Sequence, residues 1–124
     1  MEKKITHLKL RKAVKNNSKL ILTGVYNPKT GNMHEDRYHE SRAAIYEMYP
    51  EAHYIYKFML DLNERKTYNP AYPLTVISRL LEEKCGETFP DGLIIATMIA
   101  RGFKCNFDEK DPRFNVSSAS PALA

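Results

Sequence analysis

At 124 residues, 43% hydrophobic and 27% charged, the chain is long enough for one domain with its own core, too short for two, and too apolar for extensive disorder. Its net charge of +4 is unevenly spread: residues 1–20 carry Lys3, Lys4, Lys9, Arg11, Lys12, Lys15 and Lys19 against Glu2 alone, giving +6, so the rest sums to −2. Cys85 and Cys105 are too few for a disulfide framework or an all-cysteine zinc site. No run nears the roughly 18 apolar residues that span a bilayer, and no apolar core like a signal peptide's follows the basic start, so the expectation is a cytoplasmic protein without a membrane partner.

Residues 1–18 read as a basic N-terminal arm. Within it, residues 5–15 are ambiguous, since Thr6, Leu8 and Leu10 alternate like a strand while Leu10, Ala13 and Val14 step like a helix. The β-branched run 19–26 predicts a strand entering a turn or hairpin at Asn27-Pro28 and Gly31. From residue 37 the period becomes helical, with Tyr38, Ser41, Ala44, Ile45 and Met48 on one side and Pro50 as a break or kink. A second helix carries Ala52, Ile55, Phe58, Met59 and Leu62 in one stripe and is expected to end near Arg65.

A proline-bounded connector, residues 69–73, leads to a third helix over 73–85 that buries Leu74, Ile77, Leu80 and Leu81 and closes on Gly86. A fourth spans 90–101, opened by Pro90 and Asp91 and stopped by Gly102. Beyond it Phe103, Cys105 and Phe107 alternate. With residues 108–113 as a six-residue loop, Phe107 faces Phe114 and Cys105 faces Val116, whereas a one-residue slip would send the apolar pair to the opposite face. Residues 19–118 thus form one α+β domain with an N-terminal strand or hairpin and a helical middle, and residues 119–124 form a disordered tail.

The order helix, short turn, helix, two-stranded wing in residues 74–118 resembles the winged helix-turn-helix superfamily. The resemblance implies DNA binding, with residues 90–101 as the recognition helix and residues 103–116 as the wing. On that helix Ile94, Ile95, Met98 and Ile99 form the core face and leave Leu93, Ala96, Thr97 and Ala100 outward. Base edges are normally read by Arg, Lys, Asn or Gln, so these four side chains suit a partner protein better than sequence readout. Residues 74–118 also hold six basic against seven acidic side chains, three of the acids in the wing loop, which disfavours phosphate there.

Nucleic-acid affinity is therefore assigned to Lys9, Arg11, Lys12 and Lys15, supported by Arg79, Arg101, Lys104 and Arg113, as phosphate contacts with little sequence preference. The eight tyrosines, all between Tyr26 and Tyr72, form a core margin or a contact surface. In residues 34–40, His34 and His39 stand five apart rather than the four that align two ligands on a helix, so a polar helix start is the better reading than a metal site. No phosphate-loop, nucleophile-elbow or kinase signature is present, and neither an enzyme nor a cofactor is expected. The leading expectation is a small nucleic-acid-binding regulator of DNA or RNA. The alternative is a protein-binding adaptor or inhibitor, of the size of those carried by phages and other mobile elements, and an exposed Leu93 would suit a homodimer.

Overall fold

The computed structural model describes residues 5–120. It contains five helices and one two-stranded antiparallel sheet: α1 (His7–Lys15), β1 (Leu20–Ile21), β2 (Gly24–Val25), α2 (Glu35–Glu47), α3 (Tyr49–Met59), α4 (Leu74–Cys85) and α5 (Asp91–Arg101). The α+β composition agrees with the sequence reading. Lys3 and Lys4 of the basic segment, and residues 121–124 of the expected tail, lie outside the described residues.

The axis of the molecule is α5. From Gly92 to Met98 every residue is buried, and α1, α2, α3, α4 and both strands pack around it. A helix apolar on all sides belongs in an interior, because each fully buried aliphatic side chain contributes about 1.5–3 kcal/mol of burial free energy. Thr97, its one buried hydroxyl, donates to the Leu93 carbonyl at 2.8 Å and so leaves no unpaired donor. The ends of α5 are those expected from Pro90 and Gly102, the latter at φ +116°.

Residues 5–15 resolve to the helical reading. Thr6 caps α1 by accepting from the Lys9 amide at 3.1 Å, and Leu10, Ala13 and Val14 are buried. The expected arm is therefore, over the residues described, a docked helix that belongs to the domain. Residues 20–25 turn back on themselves as a two-residue hairpin pairing Leu20 with Val25 and Ile21 with Gly24. The Gly92 amide donates to the Leu22 carbonyl at 2.8 Å, and a Cβ built at Gly92 would sit 1.7 Å from the Ile21 carbonyl oxygen. Only glycine lets the hairpin lie this close to α5.

Met48 separates α2 from α3, with Pro50 in the first turn of α3, so the proline breaks the run. Helix α3 ends at Met59, before the expected Arg65, and Leu62 is buried in the connector that follows. This connector is held by the C-terminal segment. Arg65 and Asn69 amides donate to the Asn115 and Phe114 carbonyls, Leu74 to Pro112, and Ser117 to Asn63.

The expected wing is corrected accordingly. Residues 103–107 and 112–117 meet through a single bridge, Cys105 opposite Phe114, two residues off the predicted register. A shift of two keeps the alternation, and Phe103, Phe114 and Val116 are all buried. Residues 112–117 are bridged on their other side to Glu64 and Pro73, so they form an inner strand-like segment rather than a free hairpin. Buried Asn69 and Asn115 complete the seam: Asn69 donates to the Val116 carbonyl at 2.9 Å, and Asn115 takes the Lys104 amide at 2.7 Å while donating to Arg65. Within the expected tail, Ser120 is instead part of the fold: it is buried and its hydroxyl accepts from the Asn63 amide at 2.7 Å.

Candidate nucleic-acid interface

Helix α1 presents the basic side chains that the sequence singled out. At 100° per residue, burying Leu10, Ala13 and Val14 turns Lys9, Arg11, Lys12 and Lys15 outward, and all four are exposed. Leu8 lies within the same arc and is 62% exposed. Arg11 also rests over the Tyr46 ring, 5.5 Å from its centroid. No acid lies in α1, and Lys12 and Lys15 fall in its last turn, where the helix dipole favours cations.

Both ends of the helix are fixed. At the start, the His7 ring stacks on Tyr49 at 3.5 Å between centroids, and the Tyr49 hydroxyl donates to the Ile5 carbonyl at 2.6 Å. At the end, Arg42 of α2 donates to the carbonyls of Val14 at 2.5 Å, Asn17 at 2.8 Å and Leu20 at 2.9 Å. One guanidinium thus satisfies a terminal carbonyl of α1 and joins it to β1 and α2. Sequence reasoning missed Arg42, which nothing in the helical spacing set apart from Arg37 of the same helix.

Between α1 and the C-terminal end of α5 runs a groove of about 230 Å³, with Lys9 and Lys12 beside Ala13, Asn16, Asn17, Ile99 and Ala100. Its polar lining comes from α1 and the turn after it, its apolar lining from both helices.

The supporting basic residues divide. Arg79 and Lys104 are exposed. Arg101 is corrected: its side chain is 12% exposed, lies 3.8 Å from Glu64, donates to the Leu62 carbonyl at 3.4 Å and sits over the Phe103 ring. Arg113 is half-buried and paired with Glu109 at 3.1 Å. Arg101 acts inside the fold, and Arg113 is engaged in an ion pair at its surface.

The partner surface on α5 is corrected as well. Leu93, Ala96 and Thr97 are fully buried, and only Ala100 reaches a surface, at the α1 groove. The hydrophobic pattern misled because α5 is apolar all round, so the division into inner and outer faces had no basis. An exposed Leu93 is likewise removed as an argument for a homodimer.

The acids of residues 108–111 have internal roles. Asp111 accepts from the Thr75 amide at 3.0 Å and its hydroxyl at 2.7 Å, capping α4, whose own N-cap residue is Pro73. Asp108 lies 3.5 Å from Lys19. Partial burial, and then Asp111, raise the Asp91 carboxyl above the usual aspartate range. Burial also pushes the Cys105 thiol up to about 12, and Cys85 is raised by burial and by Glu87; both are free thiols.

In residues 34–40, His34 is the N-cap of α2, with Nδ1 accepting from the Asp36 amide at 3.2 Å, and His39 lies 3.6 Å from Glu35. Among the described residues no three His, Cys, Asp or Glu side chains gather as a metal site would require. Nor, among the described residues, is any helix long and apolar enough to cross a membrane. Comparisons with protein-family models, curated proteins and solved structures gave no match.

Proposed function

We propose that the protein is a small non-enzymatic regulator that binds nucleic acid through the basic face of α1, mainly by phosphate contacts. The observation that carries this reading is the outward set Lys9, Arg11, Lys12 and Lys15 on a helix held at both ends by Tyr49 and Arg42. Fixed cations lose less freedom on meeting a phosphate backbone than cations on a loose arm, and phosphate neutralisation supplies most non-specific affinity. The winged-helix resemblance enters only as the order of α4, turn, α5 and antiparallel return, with the contact surface moved to α1. Sequence preference is expected to be small.

Fluorescence anisotropy with labelled DNA and RNA, single- and double-stranded, at several salt concentrations tests the reading. It predicts dissociation constants of about 10⁻⁴–10⁻⁶ M that weaken steeply with salt, and for duplex DNA a slope of log K against log salt no steeper than about −4 for four cations. Replacing Lys9, Arg11, Lys12 and Lys15 by Ala should abolish the binding with the fold intact. Unchanged affinity in that variant would exclude α1 as the contact surface.

A further inference from the structure

A second site lies away from α1, where the loop after β2 folds back on the start of α2. Tyr26, Pro28, Met33, Glu35, Tyr38 and His39 line a cavity of about 410 Å³, within the roughly 300–1,000 Å³ of small-ligand sites. The two phenol rings stand 6.0 Å apart at 43°, and His39 meets Tyr38 edge-on at 5.3 Å.

The aromatic walls are fixed before any ligand arrives. The Tyr26 hydroxyl accepts from the Met33 amide at 2.6 Å, and Tyr38 donates its hydroxyl proton to the Ser18 carbonyl. The Tyr26 ring also lies against Gly31, where an added Cβ would come within 2.2 Å of the ring. Each hydroxyl thus has a partner in the protein, and the cavity offers a ligand π surface and the Met33 side chain as well as the remaining Tyr26 phenol proton. The one carboxylate in the lining is Glu35, which stands 3.6 Å from the His39 imidazole, and no Lys or Arg lines the cavity. Arg42 lies over Tyr38, but its guanidinium is directed at the three carbonyls it holds.

From these features the geometry points to a binding site for an organic ammonium cation. Fixed tyrosine rings attract weakly hydrated cations through their quadrupoles, a methylated ammonium fits apolar walls better than a primary amine, and Glu35 supplies the counter-charge. The cation is either a free quaternary amine or a methylated lysine of a partner chain. Phosphate-bearing ligands are disfavoured by the same carboxylate that favours a cation.

The test is a titration of the intact protein with tetramethylammonium chloride, following the Met33 methyl resonance by NMR, with sodium chloride at matched ionic strength as control. Met33→Leu assigns the signal. The expected result is a saturable shift with tetramethylammonium, about two- to fivefold weaker binding in Glu35→Gln, and loss of saturation in Tyr26→Ala. Glu35 is exposed, so E35Q keeps the test valid if Y26A fails to fold.

Parallel titrations with choline, N-trimethyl-lysine and a peptide containing that residue identify the source: tighter binding of the peptide assigns a partner chain, and equal binding assigns a free amine. Drift identical to that in sodium chloride, or saturation by adenosine monophosphate with none by tetramethylammonium, would overturn the proposal.

Discussion

Helices α1 and α5 lie against each other and are built on opposite plans. In α5 every side from Gly92 to Met98 is covered, while α1 buries Leu10, Ala13 and Val14 and leaves its charged arc in water. The first organises the core, and the second leaves its cations exposed. The difference teaches that an apolar residue on a surface-like helical position is not thereby a contact residue. What counts is how many neighbouring elements the helix must satisfy.

The comparison can be broken most severely at Ala96. Ala96→Arg would place an unpaired charge at the centre of the core, at a cost on the order of the whole folding free energy, and circular dichroism should show no cooperative melt. Gly92→Ala forces its Cβ into the Ile21 carbonyl and should cost about 3 kcal/mol, read from the urea midpoint. Arg42→Met keeps an apolar stem but removes three hydrogen bonds, to the carbonyls of Val14, Asn17 and Leu20, the first two of which keep the Asn17 and Leu20 amides as donors. About 2 kcal/mol of destabilisation is expected, with faster amide exchange concentrated around the C-terminal end of α1.

Smaller effects sharpen the contrast. Asp111→Ala removes the cap of α4 and should cost about 1 kcal/mol in a thermal melt, with nucleic-acid affinity unchanged. Lys12→Ala should move stability by no more than about 0.5 kcal/mol while weakening nucleic-acid binding and flattening its salt dependence. Large stability effects on α5 and binding effects on α1 are the pattern that the two plans require.

Much of this fold was legible in the sequence. Prolines and glycines marked α4 and α5 to within a residue, because Gly86 and Gly102 take positive φ where their helices stop. Of residues 103–116 the apolar residues that enter the core were legible in Phe103, Phe114 and Val116, whereas the pairing register was not. That register is set by Asn115 together with Asn69 and the connector after α3, and these last two are distant in sequence and carry no local signature. The cations of α1 were found by charge clustering, whereas their rigidity depends on Arg42 and Tyr49 from other helices. Arg101 was misread for the same reason: a cation at a helix end looks solvated until Leu62 and Glu64 are brought beside it.

The central claim is that α1 alone forms the phosphate-binding surface. Its most direct test is a ¹⁵N–¹H NMR titration with a short oligonucleotide at low salt, using whichever form binds in the anisotropy series. The account predicts shifts concentrated at Lys9, Arg11, Lys12, Lys15 and the Asn16–Asn17 turn, with the interior amides of α5 unmoved. Shifts concentrated on residues 103–116, or the absence of any shift, would contradict it.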